Sequence, residues 1–519
     1  MTLGSGGAIL EASASLRRRL GVTLAARAHR ALLYASVPFF LVACMFTYYG
    51  QLNREQSGDT YGTIYTAVAI AQQHQIWLDR YEGYIEAHTG ENVFMLRRSS
   101  GGHWVNATPS TSSLLALPVV EALNLVVVRG RDRGSDWRLW MEAAMLTAAL
   151  TAAATVALMF VLLTRLTTRP RAALLAAVFA WGTLEWGISG QALWQHTGAN
   201  LALTLALVAF VDRRLVLAGV AVAAMVSFRP STPLLAVLLL PLVGRRLRGW
   251  VRFAVGIAPF ALFLLVYNTV AFGSPLHQGY GSEHVMQFLH VHPGLAAAGI
   301  SGFLISPSGG LFVYSPVLLF SVVGAVRGRR TPLYRWSAIA AALYVIVVAN
   351  GESWTLGKSF GPRKLTDILP LLIVLLVPAL AVVTRRGWRW LFALTLAWSV
   401  LIEVLEAGAS QPWWWWNRPR SKPLDFGRSA TWWHVTDNQI VSLLQSPHMA
   451  PRFVVMLAIF GIGLVLGQLA SRTSAMLRCP AYEQPGDRLR AADAVEENAG
   501  GLPQIFEEAA AAPTLRHDR

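Results

Sequence analysis

Apolar runs of the length that crosses a bilayer as a helix, about 20 residues, recur along the whole chain. They fall near 31–50, 140–163, 172–190, 197–211, 214–228, 232–244, 252–271, 311–326, 335–350, 366–384, 389–407 and 452–471. The shorter of these need partners within the protein to cover their backbone. The pattern predicts an all-α, polytopic transmembrane protein of about twelve spans. Between Leu52 and Gln73 the pattern changes. In "LNREQSGDTYGTIYTAVAIAQQ" the residues Tyr61, Ile64, Tyr65 and Val68 fall at i, i+3, i+4 and i+7. That spacing predicts a short amphipathic helix lying in the outer membrane interface, with Asp59 at its N-terminal cap.

Composition supports the membrane reading: 54% of the 519 residues are hydrophobic and 14% are charged, too much apolar surface for a water-soluble core. The formal net charge of +16 does not point to nucleic acid, because the arginines stand in short clusters between apolar runs. Such clusters mark the cytoplasmic side. Arg165/Arg169/Arg171, Arg213/Arg214, Arg245/Arg246/Arg248, Arg327/Arg329/Arg330 and Arg385/Arg386 share the side of the basic N-terminus only if the apolar run 107–128 does not cross. That run is therefore expected to lie in the outer interface, against the cost of placing Arg129, Arg131 and Arg133 outside.

Residues 1–30 form a cytoplasmic basic N-terminus without a cleavable signal, and 31–471 the transmembrane domain. The long loops 51–138, 271–310, 350–365 and 408–450 then face outward, and 472–519 is a polar, disordered cytoplasmic tail. The only two cysteines, Cys44 and Cys479, lie too far apart for a disulfide.

An acid just after the first span, opening a helix and followed by a long outer loop, resembles the GT-C superfamily of membrane glycosyltransferases. That superfamily includes protein mannosyltransferases and aminoarabinose transferases, and the chain is similar to its phospholipid-carrier-dependent, family-39-like bacterial branch. "NATPSTSSLLALPVVEAL" looks like the second interfacial segment of such enzymes and "SFRPSTPLLAVLLLP" like their basic turn between short helices. "YNTVAFGSPLHQGYG", "LISPSGGLFVYSP" and "GKSFGPRKLTDILP" look like their outer loops. The 408–450 loop and the tail lie outside the resemblance. The family's Asp often stands in a "GDE"-like sequence, whereas here Thr60 follows Asp59. No cofactor is assigned, and a Mg²⁺ or Mn²⁺ ion shared by an acidic pair is left open.

The resemblance implies an extracytoplasmic-facing glycosyltransferase in a bacterial inner membrane. It would move a sugar from a polyprenyl-phosphate donor to a lipid, glycan or protein acceptor, with inversion. Such chemistry needs a base for the acceptor hydroxyl and cations for the departing phosphate. Asp59 is the expected base, although its residue type alone also fits a simple helix cap. Glu352 and Glu185 stand in reserve. Arg229, Lys358, Arg363 and Lys364 are the expected phosphate ligands, against alternatives as an ion pair for Arg229 and as membrane anchors for the others. His196, Glu352, Trp354 and Tyr280 are expected to contact substrate, with a polar contact at a helix start as the alternative for His196 and the anchoring of a loop as that for Glu352 and Glu185. His277, His284, His290 and His292 lack the i, i+4 spacing of a zinc site. Trp413–Trp416, with Trp432 and Trp433, are expected in an interfacial aromatic belt or, alternatively, in an acceptor platform.

Two competitors are a transporter or flippase of a lipid-linked sugar and an O-antigen polymerase or ligase. Against the first, the ionisable residues gather at the outer interface and no internal repeat is visible.

Overall fold

The computed structural model describes residues 36–54, 57–89, 95–129, 136–280, 293–350, 359–409, 432–446 and 448–476. Residues 36–470 form one compact helical unit. Seven of its helices are long and apolar enough to cross a membrane, which marks the chain as a membrane protein. Six of them coincide with expected spans: α5 (Trp137–Leu166), α10 (Leu247–Phe272), α13 (Pro332–Ala349), α14 (Leu369–Val383, led in by a 3₁₀ turn Arg363–Ile368), α15 (Arg386–Gly408) and α16 (Met449–Met476). The seventh, Thr111–Val128, is the run expected to stay out of the membrane core. It is α4 (Thr111–Leu123) continued by a π-turn, and by length and composition it qualifies.

The remaining expected spans are shorter helices: α1 (Ser36–Tyr49), α6 (Arg169–Trp181), α7 (Gln195–Val211), α8 (Leu215–Phe228), α9 (Pro233–Leu239) and α12 (Leu319–Gly328). Gln195 to Val211 is almost wholly buried, as a short helix must be if its ends are to be satisfied by protein. Outside the expected spans lie α2 (Gly58–Gln73), α3 (Glu82–Thr89) and α11 (Pro293–Ile305). A two-stranded antiparallel hairpin, β1 (Leu96–Arg98) with β2 (Trp104–Asn106), was not expected.

α8 and α10 touch through glycine. A Cβ at Gly219 would lie 2.0 Å from the Phe253 carbonyl oxygen, and one at Gly256 2.0 Å from that of Val216. Small residues allow such backbone approach where no hydrophobic drive separates helix from lipid.

The three basic turns following α5, α7 and α9 meet at one end of the bundle. Arg165 pairs with Asp212 at 2.6 Å, and Arg213 donates to the carbonyls of Leu242 and Val243 at 2.8 and 2.9 Å. α7, with 17 residues, carries the chain about 25 Å from that end to its opposite end at His196.

Two expectations about α2 are corrected. Its N-cap is Ser57, whose Oγ accepts from the Asp59 N–H at 3.3 Å, so Asp59 sits in the first turn and is not the cap. Nor is the helix amphipathic with an open polar side: Thr60 and the whole stretch Gly62–Ala69 are buried. Ile64, Tyr65 and Val68 pack with Tyr81, Ala116 and Trp140. The polar side is covered as well, because Thr66 satisfies its hydroxyl on the Gly62 carbonyl at 2.8 Å and Thr63 on that of Asp59 at 3.0 Å. Trp432 is also corrected: it is buried, whereas Trp433 is exposed. Trp413–Trp416 lie outside the described residues.

Candidate active site at one end of the helix bundle

Asp59 is held from both directions along the chain. The preceding segment is tied to the end of α15 and to α16: the N–H groups of Leu52 and Asn53 donate to the Ala407 carbonyl at 2.8 and 3.0 Å, and Arg452 donates to Leu52 O at 2.9 Å. Beyond it, Gly62 lies against Asn106, where a Cβ would come within 2.7 Å of the side-chain oxygen, and Thr63 meets Thr108, hydroxyl to hydroxyl, at 3.2 Å. Thus β2 and the turn after it fix the helix whose first turn presents Asp59.

Among the described residues the Asp59 carboxylate accepts no hydrogen bond, and the cations acting on it are Arg363 and Arg229. Burial raises its pKa above the usual carboxylate range, and the two guanidinium groups hold that rise back. A carboxylate with a raised pKa and no committed partner is suited to taking a proton.

Arg229 occupies the turn between α8 and α9. Its Nε donates to Asp367 Oδ2 at 2.5 Å, so the ion-pair alternative for this residue is realised. Asp367 is 1% exposed and also accepts from the Tyr344 phenol and from His196 Nδ1, the latter at 2.8 Å. One buried carboxylate therefore joins α7, the α8–α9 turn, α13 and the turn before α14. Arg363 stacks over Trp194 with its guanidinium carbon 4.1 Å from the ring centre, and its Nε is buried without a partner among the described residues. Lys364 follows it in the same turn, within the fields of Arg363 and Arg229. Tyr280 accepts from Gln195 Nε2 and feels the charges of Asp59, Arg229 and Arg363.

The structure thus brings together Asp59, His196, Arg229, Tyr280, Arg363 and Lys364. Glu352, Trp354 and Lys358 lie outside the described residues, as do His284, His290 and His292. Glu185 belongs elsewhere: it bonds Asn200 at 2.8 Å in a buried group with Glu403. Asp367, Tyr344 and Trp194 were missed. Asp367 carried a usable signal, being an acid at the head of an apolar run, the feature that singled out Asp59. Tyr344, inside an apolar run, carried none.

Next to these polar groups is a cavity of about 370 Å³ between α8 and α10. Ala261, Leu264, Leu265 and Phe272 form its apolar wall, and Thr108, Ser110, Ser227 and Tyr280 its polar end. Gly279 closes that end, since a Cβ there would come within 2.3 Å of the Ala107 carbonyl oxygen. α10 exposes most of its apolar residues, as a lipid-facing wall does.

Among the described residues, both acids of the site stand among cations. Asp59 stands in the field of two guanidinium groups and Asp367 is committed to Arg229, His196 and Tyr344. No group of three His, Cys, Asp or Glu is gathered for a metal among the described residues.

No family model, curated protein or solved structure matches the chain.

Proposed function

We propose that this chain is a GT-C-type glycosyltransferase that uses a polyprenyl-phosphate sugar at the extracytoplasmic face of a bacterial inner membrane. The observation that carries this reading is the convergence of Asp59, Arg229 and Arg363 from three distant segments, beside an apolar cavity against a lipid-facing helix. A lipid-linked phosphate needs that combination: cations for its head and a greasy wall for its tail.

In this mechanism Asp59 takes the proton of the acceptor hydroxyl as its oxygen attacks the anomeric carbon. The bond from that carbon to the phosphate oxygen breaks on the opposite face, so the configuration inverts. The departing phosphate carries away the electron pair, and Arg229, Arg363 and Lys364 offset its charge. Polyprenyl phosphate and the glycosylated acceptor are the products.

The proposed topology has about twelve spans, with both termini and the Arg clusters cytoplasmic and 107–128 in the outer interface. A cysteine placed at Ser100 is expected to react with a membrane-impermeant maleimide added to intact cells. Labelling only after the cytoplasm is opened would reverse the assignment of sides.

Arg363→Ala is expected to weaken donor use roughly ten- to a hundredfold, or about 1.5–3 kcal/mol, because Arg363 Nε is an uncommitted donor. The same variant yields a pH signature. Asp59 acts as a base only when ionised, so activity falls on the acid side as pH drops through its raised pKa. Arg363 is the largest influence holding that pKa down. Its removal should move the acid limb of kcat/KM to higher pH. An unmoved limb would separate Asp59 from proton transfer.

A second reading, a flippase for a lipid-linked sugar, draws on Glu185, Glu403 and Glu406. All three are buried, and acids within a membrane domain commonly serve ion or proton relays. Release of polyprenyl phosphate from donor in proteoliposomes distinguishes the two, since a flippase leaves the donor intact.

A further inference from the structure

The N-terminal turn of α4 is lined with buried hydroxyls that have no hydrogen-bond partner among the described residues. Ser110, the N-cap, has helical backbone angles and makes no side-chain capping bond. It is 5% exposed, its Oγ has no partner among the described residues, and it lines the cavity beside Tyr280. The Tyr267 phenol lies near that hydroxyl. Thr111 Oγ1, Ser112 Oγ and Ser113 Oγ are likewise buried and unpartnered among the described residues.

The backbone N–H groups of Ser112, Ser113 and Leu114 are occupied, by Pro109 O at 3.3 Å and by Ser110 O at 2.9 and 3.2 Å. Those of Ser110 and Thr111 make no bond among the described residues. A buried hydroxyl left unpaired costs free energy, so four together in one turn call for an occupant. The turn is also the positive end of the α4 dipole. Across the cavity stand Ser227 and Pro230, which bracket Arg229 in the chain.

We propose that the first turn of α4 is the second half of a phosphate cradle, in which Ser110 Oγ and the Ser110 and Thr111 N–H groups hold the donor phosphate opposite Arg229. Helix N-termini take anions through this combination of free N–H groups and dipole. Hydroxyl donors add contacts without a second full charge, so the spent phosphate is not trapped after transfer. This assignment rests on the donor being a lipid-linked phosphate, as proposed above.

The test is a binding measurement, independent of turnover, on the full-length protein in nanodiscs with undecaprenyl phosphate, undecaprenol and inorganic phosphate as probes. Wild type should prefer undecaprenyl phosphate to undecaprenol and bind inorganic phosphate much more weakly. Ser110→Asp is the decisive variant, because Asp is as good a helix cap as Ser. If the hydroxyl only serves the helix, Asp replaces it without loss. If it faces phosphate, a carboxylate there repels the ligand.

The expected result is at least about tenfold weaker undecaprenyl phosphate binding by Ser110→Asp and about three- to tenfold by Ser110→Ala. Undecaprenol binding and melting temperature should be retained. Undiminished undecaprenyl phosphate binding by Ser110→Asp overturns the cradle. If that variant does not fold, undiminished binding by Ser110→Ala does so. A wild type that fails to distinguish undecaprenyl phosphate from undecaprenol instead sinks the lipid-phosphate reading underneath, and the cradle with it.

Discussion

Asp59→Asn is expected to lower sugar transfer by about 10²–10⁴-fold, the usual contribution of a positioned general base, with the protein still inserted and still binding its lipid donor. Asn keeps the size and polarity of Asp and cannot take the proton. The structure removes the main reason to expect a folding defect, since Ser57 caps α2 and the Asp59 carboxylate accepts no hydrogen bond among the described residues. Donor binding and release of polyprenyl phosphate, measured on purified wild type and variant in proteoliposomes, separate the outcomes. Near-normal turnover by the variant would leave the site without its base, and with it the glycosyltransferase reading.

Asp367→Leu should have the largest effect on stability. Its carboxylate is 1% exposed and is shared by Arg229, His196 and Tyr344. Removing one member of a buried ion pair leaves the other charge uncompensated, a loss of about 3–5 kcal/mol. The variant should melt well below wild type in detergent, or fail to accumulate. Because the loss arises from the stranded Arg229, the double variant Arg229→Met, Asp367→Leu should recover much of the melting temperature. It should still lack donor binding, having lost the cation. Equal instability of the single and double variants would show that Asp367 acts through His196 and Tyr344 instead of through Arg229. Retention of wild-type stability by Asp367→Leu would contradict the buried network itself.

The two acids illustrate how much could be read without the fold. Each stands at the head of an apolar run, where a lone charge is expensive, so each was visible as an anomaly. Asp59 was recognised from its place after the first span. In "GPRKLTDILP" Asp367 follows Arg363 and Lys364, so the turn reads as basic and nothing local marks its acid as the counter-charge of Arg229. Which of the two is free and which is spent is invisible in sequence. Asp367 is neutralised by residues 138, 171 and 23 positions away in the chain. Asp59 faces its cations without bonding to them.

Likewise, the spacing of Tyr61, Ile64, Tyr65 and Val68 predicted α2 correctly as a helix, yet not that its polar side is covered by protein as well. A 3.6-residue period reports which side is apolar, whereas Thr63 and Thr66 are small enough to be buried once their hydroxyls bond backbone carbonyls or Thr108, and Thr60 is buried with its hydroxyl unpartnered among the described residues. Nothing local signals that choice.

The sequence by itself determined the class of the molecule. Runs of apolar residues of bilayer length must become helices, because only a helix satisfies its own backbone in lipid, and the helices stand where those runs stand. It also determined the residue types available for chemistry: an acid opening the helix after the first span, and basic residues beside glycine and proline in the loops. The tertiary structure decided which of them meet. Arg229 was open to an ion pair or a phosphate until its Nε was seen on Asp367. The cavity is walled by α8, α10 and the turn before α4, with Gly279 pressed against Ala107 at one end. Those are distances between segments far apart in the chain, set by the packing of the whole bundle, and neither composition nor periodicity encodes them locally.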